Sequence, residues 1–147
     1  MRIAIAIDTR EQRPWHFPEE LATVERRTLN AADYALVNDD SFALERKNLD
    51  DFIGTVSSGW ERFQRELDRM IQAQFPVRVI VVEGTWEQIV NMEHNHPKVR
   101  PAFVLKQLAW LTMNGVSVIF AGNARMAAQV GWRLLYERWQ QIGNELL

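Results

Sequence analysis

The stretch that most constrains the fold of this chain is the β-branched run Val77–Val82, which lies between Pro76 and Gly84. A strand that is apolar along most of its length is typical of the centre of a parallel sheet, where helices cover both faces. Val116–Phe120 has the same character. Helical patterns separate and follow these two strands, at Trp86–Met92, Ala102–Met113 and Ala124–Ile142. This order predicts parallel strands joined by helical crossovers.

The first third of the chain has a different pattern, with short apolar strands and polar turns between them. Asn38-Asp39-Asp40 is a strong hairpin signal. We therefore expect an antiparallel meander, built from the segments Arg2–Ile7, Thr23–Leu29, Asp33–Val37 and Ser41–Arg46. Two helices are expected after it, at Leu49–Val56 and Trp60–Gln74. The expected fold class is α/β, with a mixed central sheet flanked by helices and an N-terminal antiparallel meander.

Composition limits the classes of protein to which the chain can belong. Its 147 residues suit one domain, residues 1–147, with a core of its own. The absence of cysteine excludes a disulfide scaffold and a thiolate zinc site, and it is compatible with a cytoplasmic location. No stretch reaches the roughly 20 apolar residues that span a bilayer. A net charge of -2, from 17 basic and 19 acidic residues, is not that of a protein that holds DNA by charge alone.

Acidic and basic residues gather where three of the predicted strands begin or end. Asp8 follows the first strand and Asp33 opens another. Glu45 and Lys47 stand two residues apart, so their side chains share one face of the strand while that of Arg46 points to the other. Cleavage of a phosphodiester needs such a set, with hard oxygen ligands for Mg²⁺ and a cation beside the attacking water or the phosphate. Two interpretations stay open, a metal-dependent nuclease site and a solvated cluster of charges.

The longer motif around residue 45 resembles the signature of a known family. Glu45-Arg46-Lys47, with Asp51 four residues after the lysine, is similar to the motif of the XPF/Hef structure-specific endonuclease family. Flanking segments fit this family in the same order, namely Ile7-Asp8-Thr9-Arg10-Glu11, Asp33-Tyr34, Arg62-Phe63-x-x-Glu66-Leu67 and Val81-Val82-Glu83-Gly84. The resemblance covers roughly residues 3 to 140. Ala32 departs from the family, which usually has glycine before the acid that Asp33 matches.

The resemblance implies a restriction-endonuclease-like core and a metal-dependent active site. Asp33 and Glu45 would be the principal metal ligands, helped by the backbone carbonyl of Arg46. Asp8 would ligate the metal directly or through water. The implied cofactor is Mg²⁺ or Mn²⁺, and the number of acids suits Mg²⁺, which keeps several waters. Lys47 would orient the attacking water or offset charge in the transition state.

The same resemblance implies supporting and DNA-binding roles. Arg10, Arg46 and Arg62 are the residues expected to contact DNA, with Arg10 as a phosphate clamp. Arg46 is also expected to form an ion pair with Asp51 or Glu11, because it faces away from the metal. Asp51 completes the catalytic set through a metal contact beyond the direct ligands. Its alternative role is a charge at a helix start, which the helix dipole favours.

Three further residues near the motif are expected to have structural roles. Glu83 ends the central strand and should pair with Arg62 or Arg65. Trp15 and Trp60 are expected in a core or an interface, in preference to stacking on DNA bases.

The function expected is a metal-dependent DNA endonuclease that acts on branched DNA or on junctions between single and double strands, in repair or recombination. The resemblance implies a homodimer or heterodimer formed through the C-terminal helices, and the last helix has two apolar faces, which indicate either a larger core or a subunit interface. We expect a stand-alone nuclease domain, without the tandem helix-hairpin-helix modules or helicase portion of relatives. Two other functions stay open: a restriction or recombination nuclease with the same core, and a non-catalytic DNA-binding or assembly module.

Overall fold

The computed structural model describes residues 2–72 and 77–145, which form six strands and five helices. The strands are β1 (Ile3–Asp8), β2 (Ala22–Arg27), β3 (Tyr34–Leu36), β4 (Phe42–Asn48), β5 (Val77–Glu83) and β6 (Val116–Phe120). The helices are α1 (Leu49–Val56), α2 (Trp60–Gln72), α3 (Trp86–Val90), α4 (Pro101–Met113) and α5 (Ala124–Glu145). Each predicted segment is present to within a few residues. The predicted continuation of α2 over residues 73–74 lies outside the described residues.

The six strands form one mixed sheet in the order β2-β1-β3-β4-β5-β6. β4, β5 and β6 run parallel to one another, as the two β-branched runs predict. β3 lies antiparallel to β1 and to β4. The expected α/β fold, with a mixed sheet between helices, is confirmed.

One strand departs from the expected antiparallel meander. β2 pairs with β1 in parallel, with Ala22 opposite Ile3, and it forms an edge of the sheet. The connection explains this difference, because residues 9–21 provide the crossover of about a dozen residues that a parallel pair needs. Trp15 and Phe17 in this crossover are buried. The segment therefore packs as part of the core and does not form a simple turn.

Two hydrophobic clusters cover the two faces of the sheet. Alternation along β5 divides them, because Val79 and Val81 belong to the first cluster whereas Ile80 and Val82 belong to the second. α5 packs on the first face, against β1, β3 and β5. α1 and α4 pack on the second face, where Trp60 also lies at the margin of the cluster, as expected for a core role.

The two apolar faces of α5 both contribute to the first cluster. Ala127 and Leu135 are fully buried in it. Partly buried side chains of the same helix pack around them, namely Val130, Trp132, Leu134, Tyr136, Trp139 and Ile142. Both faces therefore contribute to a core, and a subunit interface that uses the partly exposed side chains of this helix stays a prediction. Within the described ranges, no helix combines the length and the apolar composition that crossing a bilayer requires.

Trp15 joins the β1–β2 crossover to α5 and to the sheet. Its ring stacks on the ring of Tyr34 with centroids 4.4 Å apart, and its backbone N–H donates to the Tyr34 hydroxyl at 2.8 Å. On the other side a Cβ at position 131 would lie 2.5 Å from Cζ3 of the indole, so only glycine fits there. Trp15 is thus a core residue, in agreement with the sequence analysis.

We predict that Gly131→Ala destabilises the protein, although alanine favours a helix over glycine. The added methyl group would overlap the Trp15 ring, and overpacking of a core costs about 1–3 kcal/mol. Gly143→Ala in the same helix is a matched control, because its Cβ would meet no described atom within 4 Å. There the helix propensity of alanine should stabilise the protein by up to about 1 kcal/mol. Urea unfolding measures both effects, and equal effects would contradict this packing.

Candidate active site

The β3–β4 pair brings Asp33 beside the motif at residues 45–47. Tyr34 pairs with Leu44 in antiparallel register, and the Asp33 N–H donates to the Leu44 carbonyl at 3.0 Å. One carboxylate oxygen of Asp33 accepts a hydrogen bond from the Arg46 N–H at 2.8 Å. The backbone of the motif therefore holds the Asp33 carboxylate in place.

The pleat of β4 sends successive side chains to opposite faces of the sheet. Glu45 and Lys47 share one face, and the Lys47 ammonium lies 3.8 Å from a carboxylate oxygen of Glu45. This confirms the arrangement predicted from their spacing. Leu44 belongs to the first cluster, and Arg46 points to the same side by alternation. A carboxylate and an ammonium group therefore meet at a partly exposed strand end.

Asp8, Asp33 and Glu45 line one cleft on the second face of the sheet, with a volume of about 700 Å³. Residues of α2 form part of its wall, among them Glu66 and Leu67. The three predicted metal ligands thus reach the same cavity from three different strand ends. Because these three side chains line one cleft, a metal-binding site is favoured over a solvated cluster of charges.

Lys47 lies in a second, adjoining cleft of about 480 Å³, which Asp51 and Arg62 also line. Glu66 lines both clefts and connects them. The Arg62 guanidinium lies 3.5 Å from Glu66 on the next turn of α2, and its side chain is largely exposed. Arg62 is therefore placed where a ligand in the second cleft would pass, but its contact with DNA stays a prediction.

The environment of the first cleft raises the pKa of two carboxyl groups. Burial raises the pKa of Asp33, and this effect exceeds the opposite one of the hydrogen bond from Arg46. Burial also raises the pKa of Glu45 to about 7, where Lys47 opposes the shift and Asp33 and Glu66 add to it. Neighbouring negative charges make ionisation of each carboxyl group harder. Both carboxyl groups are therefore harder to ionise than in water, chiefly because they are buried.

Asp8 has partners of its own at the buried end of β1. Its carboxylate accepts hydrogen bonds from Arg10 Nε at 2.7 Å and from the Leu29 N–H at 2.9 Å. Burial alone would raise the pKa of Asp8, but these two bonds hold it below its ordinary value. Arg10 also donates to the Leu29 carbonyl at 2.8 Å. A direct metal contact of Asp8 stays a prediction.

Arg46 anchors the motif on the opposite face of the sheet. Its guanidinium forms an ion pair with Glu83, lies 3.6 Å from Glu11, and stands over the Trp15 ring at 5.5 Å from the centroid. The expected pair with Glu11 is confirmed. The alternative pair with Asp51 is wrong, because Asp51 lies in α1, which packs on the other face. With these protein partners around it, a contact of Arg46 with DNA stays a prediction.

The partner of Glu83 also differs from the prediction. Arg62 and Arg65 were expected, but Arg46 takes that role. Glu83 is two residues from Val81 and therefore points toward the first face of the sheet, whereas α2 packs on the second face. The alternation of side chains along β5 therefore gives Glu83 a partner on the first face of the sheet.

Asp51 lies in the first turn of α1 and is exposed. The side chain of Asn48 caps this helix by accepting a hydrogen bond from the Asp51 N–H at 2.8 Å. An acid in the first turn is stabilised by the positive end of the helix dipole. These contacts support the helix-start role of Asp51, and its metal role stays a prediction.

The donor set fits a hard divalent cation held by few protein ligands. Among residues 2–72 and 77–145, no group of three or more His, Cys, Asp or Glu side chains is arranged to hold a metal. Two carboxylates are sufficient for Mg²⁺, which prefers oxygen ligands and keeps several waters. Burial is the main cause of the raised pKa values of Asp33 and Glu45, and a bound divalent cation would favour the ionised form of both groups. The residues present therefore fit such a cation.

Two residues of the first cleft, Glu66 and Arg78, were not among the predicted site residues. The signal for Glu66 was available, since it lies in the segment Arg62-Phe63-x-x-Glu66-Leu67 that carries part of the family resemblance. The signal for Arg78 was its position as the one basic residue in the run Val77–Val82. A charge inside a strand that is otherwise apolar marks a point where that strand meets something polar.

We predict that Glu45→Gln makes the metal-free protein more stable above pH 7. The pKa of Glu45 rises from 4.5 to about 7 on folding. A raised pKa contributes stability that is fully present below pH 4.5 and is lost as the pH rises through about 7. Glutamine does not ionise, so the variant does not lose this stability. Its free energy of unfolding at pH 8 should exceed that of the wild type by about 2 kcal/mol, a value reduced from the full effect of the pKa shift because Glu45 is partly exposed.

Urea unfolding in EDTA at pH 4.5 and pH 8 measures this difference. Glu137→Gln is the control, because Glu137 lies on α5 with its side chain largely exposed. The same pH dependence in the wild type and in Glu45→Gln would show that the environment of Glu45 is misassigned.

Comparison with known proteins places the chain in a family. The ERCC4 domain family matches residues 7–130. Among solved structures, XPF from Aeropyrum pernix has a TM-score of 0.68 and 22% identity, covering 92% of this chain and 61% of that one. XPF from Aeropyrum pernix in a complex with DNA has a TM-score of 0.69 and 23% identity, covering 95% and 66%. No curated protein matches the chain.

Identities of this size show a common fold, and the chain spans less than two thirds of the length of either XPF structure. The family match extends over most of the present chain and includes the motif and both flanking acids. The chain belongs to the ERCC4 domain family, which confirms its resemblance to nuclease domains of the XPF/Hef type.

Proposed function

We propose that the protein is a DNA endonuclease that uses Mg²⁺ or Mn²⁺ to hydrolyse phosphodiester bonds. The observation that carries this proposal is the meeting of Asp33, Glu45 and Lys47 on one face of the sheet, beside a cleft. Membership of the ERCC4 domain family supports it. A non-catalytic module is less well supported. Carboxylates with raised pKa values lower the stability of the fold, and a surface that only binds DNA does not need them.

Asp33 and Glu45 would hold the cation through their carboxylate oxygens. When bound, the cation would supply Lewis-acid activation of the phosphate and of the attacking water. The hydrogen bond from the Arg46 N–H orients the Asp33 carboxylate before any ligand arrives. Because its donor is a backbone group in a strand, this orientation costs no reorganisation during the reaction.

Lys47 would stabilise negative charge on the phosphate or orient the attacking water. Its ammonium stays near Glu45, which keeps it at the site. A fixed positive charge that faces developing negative charge lowers the barrier in either role. The ion pair of Arg46 with Glu83 on the opposite face holds the same strand and so keeps Lys47 in position.

The charge of the first cleft supports DNA as the ligand. Four carboxylates and three guanidinium groups line it, at Asp8, Asp33, Glu45, Glu66, Arg10, Arg69 and Arg78. One divalent cation would change the formal charge of this lining from -1 to +1. The site would then attract a polyanion although the whole chain is acidic. The fold is shared with an XPF structure that is a complex with DNA.

Within this proposal the substrate is branched DNA or a junction between single and double strands. The resemblance to structure-specific endonucleases supports this choice. The two clefts, which adjoin at Glu66, would let strand segments approach Lys47 from different directions. A nuclease with the same core and another DNA substrate is the alternative, and substrate comparison separates the two.

We predict that the wild type cuts flap or fork DNA in Mg²⁺ or Mn²⁺ and that EDTA abolishes cutting. Glu45→Gln and Lys47→Ala should each lower the cleavage rate at least about 100-fold, because the first removes a charge that would hold the cation and the second removes the positive charge beside the phosphate. Cleavage of end-labelled flap, fork, nicked, linear and circular DNAs measures this. Glu137→Gln on α5 should cut like the wild type.

The pattern of substrates decides between the proposed functions. Cutting confined to junctions supports structure-selective cleavage, and cutting of every DNA supports the alternative nuclease. Unchanged cleavage by either site variant would contradict the site assignment. DNA binding without cleavage in any metal would support the binding module instead.

We also propose that the protein dimerises through its C-terminal helices, with α4 at the centre of the interface. Among the residues of α4 only Lys106 is charged, and Phe103, Leu105 and Met113 are exposed. Met126 at the start of α5 is exposed as well. A surface helix with so little polar surface is typical of an interface.

We predict that Leu105→Glu combined with Met113→Glu converts a dimer into a monomer, because two charges would be buried without partners. Light scattering after size exclusion measures the molecular mass. Val24→Glu is the control, since Val24 is an exposed apolar residue on β2, far from α4 in the sheet order. A monomeric wild type, or a double variant that stays dimeric, would contradict this interface.

A further inference from the structure

Arg78 is a buried arginine at the floor of the first cleft. It is the second residue of β5 and is only 8% exposed. Its Nη1 group donates to the Leu67 carbonyl at 3.3 Å. Its Nε atom is buried and has no hydrogen-bond partner in the part of the chain that the structure describes. Burial holds the pKa of Arg78 below its ordinary value.

The register of the sheet places this side chain on the same face as the proposed metal ligands. Arg78 lies opposite Ala43 on β4, and Glu45 is two residues further along β4. Val79 points to the first cluster, so Arg78 points to the second face by alternation. Arg78 and Glu45 both line the first cleft.

No described carboxylate forms an ion pair with Arg78, although four carboxylates line the cleft. Asp8 is paired with Arg10, and Glu66 lies beside Arg62. Asp33 and Glu45 are the residues proposed to hold the cation. Buried guanidinium groups in proteins are normally matched by an anion or by hydrogen-bond acceptors. Arg78 lines the cleft, and among the described residues its guanidinium has one acceptor, the Leu67 carbonyl, and no anionic partner.

We propose that Arg78 binds an internal backbone phosphate of the DNA strand in the cleft, next to the phosphate that is cut. The inference rests on the proposed function and adds a residue that positions the substrate. A guanidinium group donates charge-assisted hydrogen bonds to phosphate oxygens, which are stronger than bonds between neutral groups. Diagonal neighbours on adjacent strands are about 8 Å apart. Arg78 and Glu45 are such neighbours and line the same cleft, so a strand held at Glu45 would pass Arg78.

The test measures binding of fluorescent fork DNA by the full chain over a range of NaCl concentrations, with Ca²⁺ in place of Mg²⁺. Arg78→Met should weaken binding about tenfold. It should also lower the slope of log affinity against log salt by about 0.7–0.9, the value of one phosphate contact. Arg78→Lys should leave the slope unchanged and lower the affinity in part, because lysine keeps the positive charge but lacks the planar guanidinium group. Arg133→Met, on α5, should change neither quantity.

An unchanged affinity and slope for folded Arg78→Met would overturn the proposal, since a bound water or a purely structural arginine would give that result. If Arg78→Met does not fold, single neutral methylphosphonate linkages in the DNA decide. One linkage beside the cut site should weaken binding to the wild type more than to Arg78→Lys. Equal penalties at every linkage would overturn the proposal.

Two further outcomes separate this role of Arg78 from binding of a 5′-terminal phosphate and from the proposed function as a whole. A dependence on Arg78 that appears only with a 5′-terminal phosphate would overturn the assignment to an internal phosphate. A wild type that binds and cuts DNA, while the Arg78 variants match it, rejects this inference alone. A wild type that neither binds nor cuts DNA rejects the proposed function as well.

Discussion

The hydrogen bond from the Arg46 N–H to the Asp33 carboxylate is the contact on which the arrangement of the site depends. It forms only when β3 and β4 keep their register, with Tyr34 opposite Leu44. A slip of one residue would turn Glu45 toward the first cluster and Arg46 toward the cleft, because side chains alternate along a strand. Leu44 and Tyr34 are both fully buried, so the hydrophobic core penalises such a slip.

The two faces of the sheet differ, because the first is packed behind β4 and the second carries the cleft. On the first face, Arg46 is held by Glu83, by Glu11 and by the Trp15 ring, and Trp15 packs in turn on Gly131 of α5. This side is apolar and largely closed. On the second face the same strand presents its acid and its lysine to a cleft. Rigid support behind the strand allows charged groups in front of it to stay apart and partly uncompensated, as a preorganised site requires.

The first cleft holds charges of both signs, and two of them, Glu45 and Arg78, are not paired with each other. The pKa of Glu45 is raised to about 7, and the Nε atom of Arg78 has no partner among the described residues. In the sheet Arg78 lies opposite Ala43 and Glu45 lies opposite Ile80, so the two are not directly opposite one another. A cation beside the acids and a phosphate beside the arginine would satisfy both. Such local costs in stability are common where a protein binds a charged ligand.

The sequence by itself determined the strands, most helices and the face shared by Glu45 and Lys47, because periodicity and strand alternation act over a few residues. It also indicated the family, through the motif and the order of its flanking acids. Only the tertiary structure decided that β2 runs parallel to β1, that Arg46 pairs with Glu83, and that Arg78 reaches the cleft. Each of these depends on which elements lie opposite one another in space. Contacts between residues that are distant in the chain form only when the whole sheet assembles, so a local sequence pattern does not predict them.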